Sequence, residues 1–362
     1  MEKGRVGNHD FNMIVVGFVL GSALLLPPGQ LAQNNAWAAT LLGMIEGIGV
    51  SLVYCTLARR FARRTLPQIA TLVWGRYLGM VVSLLYLWFL VHLASLVMNN
   101  FVDFVSVLLL PRTPQEVIIG ILIVAVAAVA THGLKVLGYC SDILVPVVLV
   151  VLVVTVILLM PDIKLSRLLP ILRVPLTKLI YASHAAASFP FNEAVAFMMV
   201  FPSLEGEVRP STMVKPLLIA GAFLCLSSIR NIGVMGPLVG DSVYPSYHAL
   251  RLIDLARFFT RLESLGALAF LAVSFIKISV LLYGASLGLA QLLKLCTHRT
   301  VVFPLAILIA IVSSLNFANI GQNMAGAQWG WPVYAPIFQI AIPLATLVCA
   351  VVTGKREKGK TR

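Results

Sequence analysis

One apolar stretch of the chain, from Ser183 to Pro202, contains polar and charged groups of the kind that bind ligands. Its middle holds Ser188, Pro190, Asn192 and Glu193, at the depth where a membrane-spanning helix of about 20 residues is usually apolar. Pro190 lacks a backbone N–H and disfavours helical geometry at the residue before it. We therefore expect the helix to unwind here and to restart near Asn192, with the unwound backbone facing protein or a wet cavity.

The unwound stretch predicts a binding site for an ammonium group. Backbone carbonyls between Ser188 and Phe191 are suitable acceptors, and Glu193 adds charge, since an ionisable residue within a span is functional by default. The alternative is a structural ion pair between Glu193 and Lys277, and the sequence leaves both interpretations open. The residues predicted to contact a ligand at this break are Ser188, Phe189, Pro190, Phe191, Asn192 and Glu193.

A second interruption lies in the first apolar segment, which reads VVGFVLGSALLLPPG. Gly21, Ser22 and Ala23 are small, so a ligand can approach the backbone closely, and the start of a half-helix attracts a carboxylate. The alternative is helix packing, because Gly17 and Gly21 form a G-x-x-x-G pattern. Each break alone is also compatible with a simple kink, whereas interrupted segments at corresponding positions in two halves indicate a transporter-type site.

The composition is that of a polytopic membrane protein. Hydrophobic residues make up 59% of the 362 and charged residues only 11%, with a mean hydropathy of +0.95. A soluble domain is about half apolar and about a quarter charged. The formal charge of +13 comes from short basic blocks between apolar segments, such as 59–64 and 355–360. Such blocks are typical of cytoplasmic loops, so we expect both termini in the cytoplasm and no nucleic-acid partner.

No motif in the sequence indicates an enzyme, a metal site or a cofactor. The five cysteines are scattered without a C-x-x-C pair, which argues against a disulfide framework or a zinc site. The chain contains no H-E-x-x-H, no Walker A motif and no nucleophile with an evident His and acid partner. We therefore expect a non-enzymatic protein without a metal or cofactor.

Ten apolar segments predict ten transmembrane helices within one permease-like domain that spans residues 1–362. The segments are 11–31, 35–57, 78–102, 115–133, 141–160, 178–201, 212–234, 262–291, 300–318 and 331–352. The first five begin inside and the second five begin outside, so two similar halves would be inverted. Repeat one covers about 11–160, repeat two about 178–352, and a basic cytoplasmic tail follows over 353–362.

Longer motifs along the chain point to a family. They are ASFPFNEAVAFMMVFP, GPLVGDSVYPSYHALRLIDLARFFTRLESL, FIKISVLLYGASLGLAQLL, LLLPRTP, DIKLSRLLPIL and LARRF. With these motifs in this order, the sequence resembles the spore germination permease family, the B subunits of GerA-type germinant receptors, in the amino acid–polyamine–organocation superfamily. The resemblance covers about residues 11–300. It implies an all-α integral membrane protein with a LeuT-like 5+5 inverted repeat, in which helices 1 and 6 are broken.

The chain departs from the family pattern near the expected site. Asn192 stands where the family usually has Gly, Phe270 where a tryptophan is common, and GLKVLGYCSD lacks the acidic and arginine residues typical of that turn. The ligand of better-known members therefore cannot be transferred to this chain.

The resemblance also implies that the eighth span lines the pocket. Ser279 and Tyr283 share one helix face, because they are four residues apart, and Tyr283 would close the pocket with its hydroxyl. The alternative for both is interhelical hydrogen bonding. For Lys277, the hypothesis is that its ammonium replaces the sodium ion used by some LeuT-fold relatives.

The function implied by the resemblance is that of a receptor subunit in the spore inner membrane. It would bind a small nutrient germinant, an amino acid, and signal to A and C subunits of the receptor. The alternative is a secondary transporter of amino acids or amines that works by alternating access. For either function, we expect a few charge-assisted hydrogen bonds to stabilise the bound ligand, and the loss of entropy on binding to offset much of that free energy. The predicted dissociation constant is therefore about 1 μM to 1 mM.

Overall fold

The computed structural model describes residues 5–169, 174–252 and 262–356, and regular structure in these ranges is helical apart from one β-bridge between Val6 and Leu204. Parts of two family-like motifs, 170–172 and 253–261, and the tail from 357 onward lie outside the described residues. The α-helices are α1 Asn8–Leu20, α2 Ala36–Arg60, α3 Leu66–Trp74, α4 Arg76–Phe104, α5 Gln115–His132, α6 Leu134–Leu159, α7 Leu176–Ala186, α8 Pro210–Met235, α9 Leu238–Asp241, α10 Pro245–Arg251, α11 Leu262–Leu292, α12 Arg299–Asn316, α13 Ile320–Ala325, α14 Trp331–Pro336 and α15 Ile342–Val352.

Eight of the described helical segments are long and apolar enough to cross a membrane. They are Gln30–Arg60, Arg76–Leu109, Gln115–His132, Leu134–Asp162, Pro210–Met235, Glu263–Leu292, Arg299–Asn316 and Ile320–Val352. The two remaining predicted spans, 11–31 and 178–201, are the interrupted ones, and neither forms one continuous α-helix. The prediction of an all-α membrane protein with about ten transmembrane helices, the first and sixth broken, is confirmed. The domain and repeat boundaries stay a prediction.

The first break follows α1 directly. Gly21 leaves helical geometry (φ 4°, ψ −126°), and a short 3-10 turn, Ser22–Leu24, follows it. The carbonyl oxygen of Ser22 accepts hydrogen bonds from the N–H groups of Leu25 and Leu26, at 3.1 and 2.9 Å. A new helical turn therefore starts at Ser22, and the first N–H groups of such a turn have no acceptor inside it.

The second break follows α7. The chain continues into a π-helical turn, Ala187–Phe191, where Phe189 is extended (φ −139°, ψ 112°) and the Phe189–Pro190 peptide bond is cis. A 3-10 segment, Asn192–Met199, comes next. The helix thus unwinds before Pro190 and restarts at Asn192, as the missing N–H and the steric effect of proline predict.

Helix α2 packs closely against the second break because it has glycines at i and i+4. A Cβ added at Gly43 would lie 2.7 Å from the backbone nitrogen of Ala187, and one added at Gly47 would lie 2.4 Å from Cβ of Phe191. Larger residues at either position would push the two segments apart. The long helix α11 packs against α1, α4 and α6 and brings Lys277 between the two breaks.

The last span begins at Ile320, well before the predicted start at residue 331. The segment NIGQNMAG is polar enough to hide this helix from a hydropathy window. Its start is fixed locally, because the side chain of Asn319 accepts a hydrogen bond from the N–H of Gln322 at 3.0 Å. This early start brings α13 and α14 beside the two breaks.

Candidate functional site

A cavity of about 300 Å³ lies between the two breaks, α4 and the segment that runs from the end of α12 to α14. That volume is at the lower end of the range for sites that bind small molecules. Most of its wall is aliphatic or aromatic, with a few polar side chains. The lining residues are Ser22, Leu26, His92, Leu93, Leu96, Val97, Asn100, Phe189, Glu193, Asn316, Phe317, Asn323, Gly326, Ala327, Gly330, Trp331 and Tyr334.

A buried ion pair lies beside this cavity, with Glu193 in the cavity wall. The ammonium nitrogen of Lys277 lies 2.5 Å from Oε2 of Glu193, and the two side chains are 0% and 1% exposed. The same nitrogen lies 5.2 Å from the ring centre of Phe18 and 5.1 Å from that of Phe189, within range of cation–π attraction. Burying either charge alone would cost several kcal/mol of desolvation free energy, and the attraction between the two charges offsets part of that cost.

Glu193 has one carboxylate oxygen that the ion pair does not use. Its Oε1 has no hydrogen-bond partner among the described residues, and the side chain lines the cavity. The sequence left two roles open for Glu193, ligand contact and ion pairing with Lys277. The geometry combines the ion pair at one oxygen with a free acceptor at the other.

The three predicted residues of the first break lie in different surroundings. Ser22 is fully buried and lines the cavity, and its hydroxyl has no hydrogen-bond partner in the described part of the chain. Gly21 instead faces Lys277, because a Cβ there would lie 2.5 Å from Cδ of the lysine and 2.8 Å from the carbonyl oxygen of Phe18. Ala23 is part of the hydrophobic core.

The carbonyl group of Ser188 at the second break is used within the protein. The carbonyl oxygen of Ser188 accepts hydrogen bonds from Nε1 of Trp331 at 3.1 Å and from Nε2 of Gln339 at 3.0 Å. The hydroxyl of Tyr54 lies 3.2 Å from the carbonyl oxygen of Asn192. These contacts hold the unwound segment in place, so the Ser188 carbonyl is not open to a ligand as the sequence suggested.

The side chains of the second break divide between the cavity and the core. Phe189 lines the cavity, whereas Pro190 and Phe191 are buried behind it. The amide nitrogen of Asn192 lies 3.5 Å from Oε1 of Glu46, which also lies 3.0 Å from Nδ1 of His184. Asn192 therefore belongs to a polar cluster with α2 and α7 and does not line the cavity.

Helix α11 brings Lys277 to the site but not the other two predicted residues. Ser279 is fully buried, and its hydroxyl has no hydrogen-bond partner among the described residues, but it does not line the cavity. Tyr283 lines a different cavity together with Arg63 and Arg64, and its ring meets that of His298 edge-on at 5.2 Å.

No residue of α4 or of the segment around α14 was among the residues predicted to contact a ligand, although both form part of the cavity wall. Trp331 stacks on Phe89, with ring centres 5.7 Å apart, and His92 meets Tyr334 edge-on at 5.5 Å. The signal was the segment GAQWGWPVY, in which small residues alternate with large aromatic ones inside a span. In the ranges that the structure describes, no three His, Cys, Asp or Glu side chains form a cluster that could hold a metal ion.

A helical membrane protein with two broken helices around a central cavity has the architecture of LeuT-fold transporters. The structure is similar to that of MhsT in complex with L-phenylalanine, with a TM-score of 0.65 and 16% identity over 98% of this chain and 91% of that one. It is also similar to a Na⁺-coupled sialic acid symporter, with a TM-score of 0.66 and 11% identity over 97% of this chain and 90% of that one. At these identities the likeness shows the fold alone.

The chain belongs to the spore germination protein family, whose model matches residues 5–319. It is 26% identical to spore germination protein KB of Bacillus subtilis (strain 168), over 99% of this chain and 98% of that protein. Spore germination protein YndE of the same organism is 20% identical over 80% of this chain and 82% of its own length. The protein is therefore a germination-related, transporter-like, multi-pass membrane protein, and its family points to a non-enzymatic role.

Proposed function

We propose that the protein is the membrane subunit of a spore germinant receptor, which binds an amino acid in the central cavity and thereby triggers germination. The observation that carries the proposal is Oε1 of Glu193, which has no hydrogen-bond partner among the described residues and belongs to a side chain that lines a cavity of about 300 Å³ beside a new helical turn. An acceptor for an ammonium group and donors for a carboxylate thus lie at one site.

The ligand would be held at three places. Its ammonium group binds Oε1 of Glu193, and its carboxylate binds the hydroxyl of Ser22 and the N–H groups that start the turn. Its side chain packs against Phe189, Trp331 and Tyr334, which line the same cavity. This wall favours an amino acid with a large apolar side chain, because burying apolar surface stabilises the complex by about 25 cal/mol per Å².

Lys277 is proposed to supply the fixed positive charge that a sodium ion supplies in some transporters of this fold. Its ammonium group is already paired with Oε2 of Glu193 at the break, so we expect no sodium ion to be needed to supply positive charge there. Binding should therefore be the same in sodium and in choline buffers of equal ionic strength. Binding that rises with sodium in the wild type, and still does so in Lys277→Met, would contradict this role.

The signal is proposed to be a population shift. Binding favours one arrangement of the broken helices over another, and the difference reaches A and C subunits of the receptor. The proposed location is the spore inner membrane, with both termini in the cytoplasm.

The alternative function, secondary transport of amino acids or amines, is favoured by the similarity of the fold to solved transporters.

The deciding experiment measures binding and uptake on the same preparation. Purified protein is reconstituted into proteoliposomes and supplied with each of the twenty amino acids in labelled form, the apolar ones first. Gly330→Phe is the blocked variant, because Gly330 lines the cavity and a Cβ there meets no atom within 4 Å. Gly49→Phe is the matched control, since it also has open space but lies on the exposed side of α2, away from the cavity.

The outcomes separate the two functions. Binding without uptake, lost in Gly330→Phe and kept in Gly49→Phe, supports a sensor. Uptake above the blocked variant establishes a transporter and makes sensing secondary. The absence of both binding and uptake across all twenty amino acids, in protein that unfolds cooperatively, would contradict the proposed ligand class.

A further inference from the structure

A second buried cation, Arg230, lies near the end of α8 and is only 1% exposed. Its Nε and Nη2 donate hydrogen bonds to Oδ1 of Asn231, at 3.1 and 2.9 Å, and its Nη1 donates to the hydroxyl of Thr155 at 2.7 Å. Both acceptors are neutral. Because a guanidinium group keeps its charge, the positive charge of Arg230 is not balanced by these contacts.

None of the ion pairs within the described ranges involves Arg230. These ion pairs include His9 with Asp142, His184 with Glu46, and Lys277 with Glu193. A buried charge without a counter-charge carries a large desolvation cost. Lys277 avoids it through Glu193, whereas Arg230 has no carboxylate partner in the part of the chain that the structure describes.

The guanidinium also has unused donors. It carries five N–H groups, and three of them are accounted for by Asn231 and Thr155. Beside it lies a small cavity of about 30 Å³, whose polar lining consists of Thr155, Arg230, Ser246 and Tyr247. Ser246 accepts a hydrogen bond from Nδ2 of Asn231 at 3.0 Å, so its own O–H remains a donor.

The size of this cavity limits what it can hold. A volume of about 30 Å³ accommodates one water molecule or one monatomic ion, and it excludes an amino acid or a lipid headgroup. Water would satisfy the remaining hydrogen bonds but not the charge. A small anion does both.

We propose that this cavity binds a monovalent anion of the size of chloride. The anion accepts hydrogen bonds from the unused N–H groups of Arg230 and from the hydroxyl groups of Ser246 and Tyr247. It thereby joins α6, α8 and α10 at a point that also contacts Leu24 and Leu25, directly after the first break. The site is separate from the central cavity and does not depend on the function proposed for it.

The test compares thermal unfolding of the purified full chain in sodium chloride and in sodium gluconate at equal ionic strength. Gluconate is too large for the cavity, so chloride should raise the unfolding temperature in a saturable manner, by about 2 °C or more. Bromide, of similar size, should act in the same way. Equal unfolding temperatures in chloride and gluconate would overturn the proposal.

Two variants assign the effect to Arg230. Arg230→Gln keeps hydrogen-bonding groups but removes the charge, so the difference between chloride and gluconate should disappear. The matched control is Arg167→Gln, because Nη1 of Arg167 also binds carbonyl oxygens of α8, those of Gly233 and Val234, without lining the cavity. The control should keep the chloride effect. An unchanged chloride effect in Arg230→Gln would refute the site.

A measurement on the wild type covers the case in which Arg230→Gln does not fold. Crystals grown in bromide should show an anomalous scattering peak beside Arg230. Anomalous maps without a peak there, at a bromide concentration that saturates the thermal effect, would also overturn the assignment.

Discussion

The two helix breaks differ in what they contribute to the site. The first is made of small residues: Gly21 provides the turn, and the segment Ser22–Leu24 carries no charge. The second contains Pro190 and Glu193, and hydrogen bonds from Trp331 and Gln339 fix its backbone. The first break therefore provides space and the hydroxyl of Ser22, which has no partner among the described residues, whereas the second provides charge on a fixed backbone.

Lys277 connects the two breaks physically. Its side chain passes so close to Gly21 that a Cβ there would overlap it, and it ends on the carboxylate of Glu193. The two breaks lie at matching positions in inverted halves, but they contribute different groups to the site. The reason is that α11 places the ammonium group of Lys277 between them. The comparison predicts three effects of decreasing size.

Lys277→Met should have the largest effect on stability. It leaves Glu193 buried without its partner, and breaking a buried ion pair by removing one member costs about 3–5 kcal/mol. The free energy of unfolding, measured in detergent with denaturant, should fall by that order. Lys215→Met is the control, because Lys215 is an exposed lysine of α8 and its loss should change stability little.

The double variant Lys277→Met/Glu193→Gln separates charge from packing. It removes both charges, so most of the lost stability should return, although ligand binding should not. If the single variant is as stable as the wild type, the ion pair contributes nothing and the second break is not held by charge.

Gly21→Ala should have an intermediate effect at the first break. The added Cβ would lie 2.5 Å from Cδ of Lys277 and 2.8 Å from a backbone oxygen, so either chain must shift at a cost of about 1–3 kcal/mol. Gly49→Ala, where no atom lies within 4 Å, should be neutral or stabilising. Combining Gly21→Ala with Lys277→Ala should cost less than the sum of both, and strict additivity would show that the two residues do not interact.

The fold was predictable because its strongest signals are local. Continuous apolar segments predict spanning helices, and Pro190 with the polar residues around it predicts the break in the sixth span. The start of the last span was misplaced for the same reason, because a polar segment capped by Asn319 does not register as apolar. Hydropathy measures composition, and capping geometry does not enter it.

The site was only partly predictable, because its membership depends on how far apart residues lie along a helix and on which face of the helix each one occupies. Tyr283 lies six residues beyond Lys277, about 9 Å along the helix, so it reaches a different cavity. Ser279 is two residues from Lys277 and points to another face. Trp331 and Tyr334 come close to the breaks only through tertiary packing, which no spacing within the chain reveals.

Ser22→Ala should have the smallest effect on stability and a selective effect on binding. The hydroxyl of Ser22 is buried without a partner among the described residues, so its removal should leave stability within about 1 kcal/mol of the wild type or raise it. The apparent dissociation constant for the amino acid should rise by about fivefold, because one hydrogen bond of about 1 kcal/mol is lost.

Ser279→Ala is a matched control for this last variant. Both hydroxyl groups are fully buried and lack a hydrogen-bond partner in the described ranges, but only that of Ser22 belongs to a residue that lines the cavity. Equilibrium binding should therefore weaken in Ser22→Ala and stay unchanged in Ser279→Ala. Equal weakening in both would mean that the serine hydroxyls act through helix packing, and that the first break provides space for Lys277 without contacting the ligand.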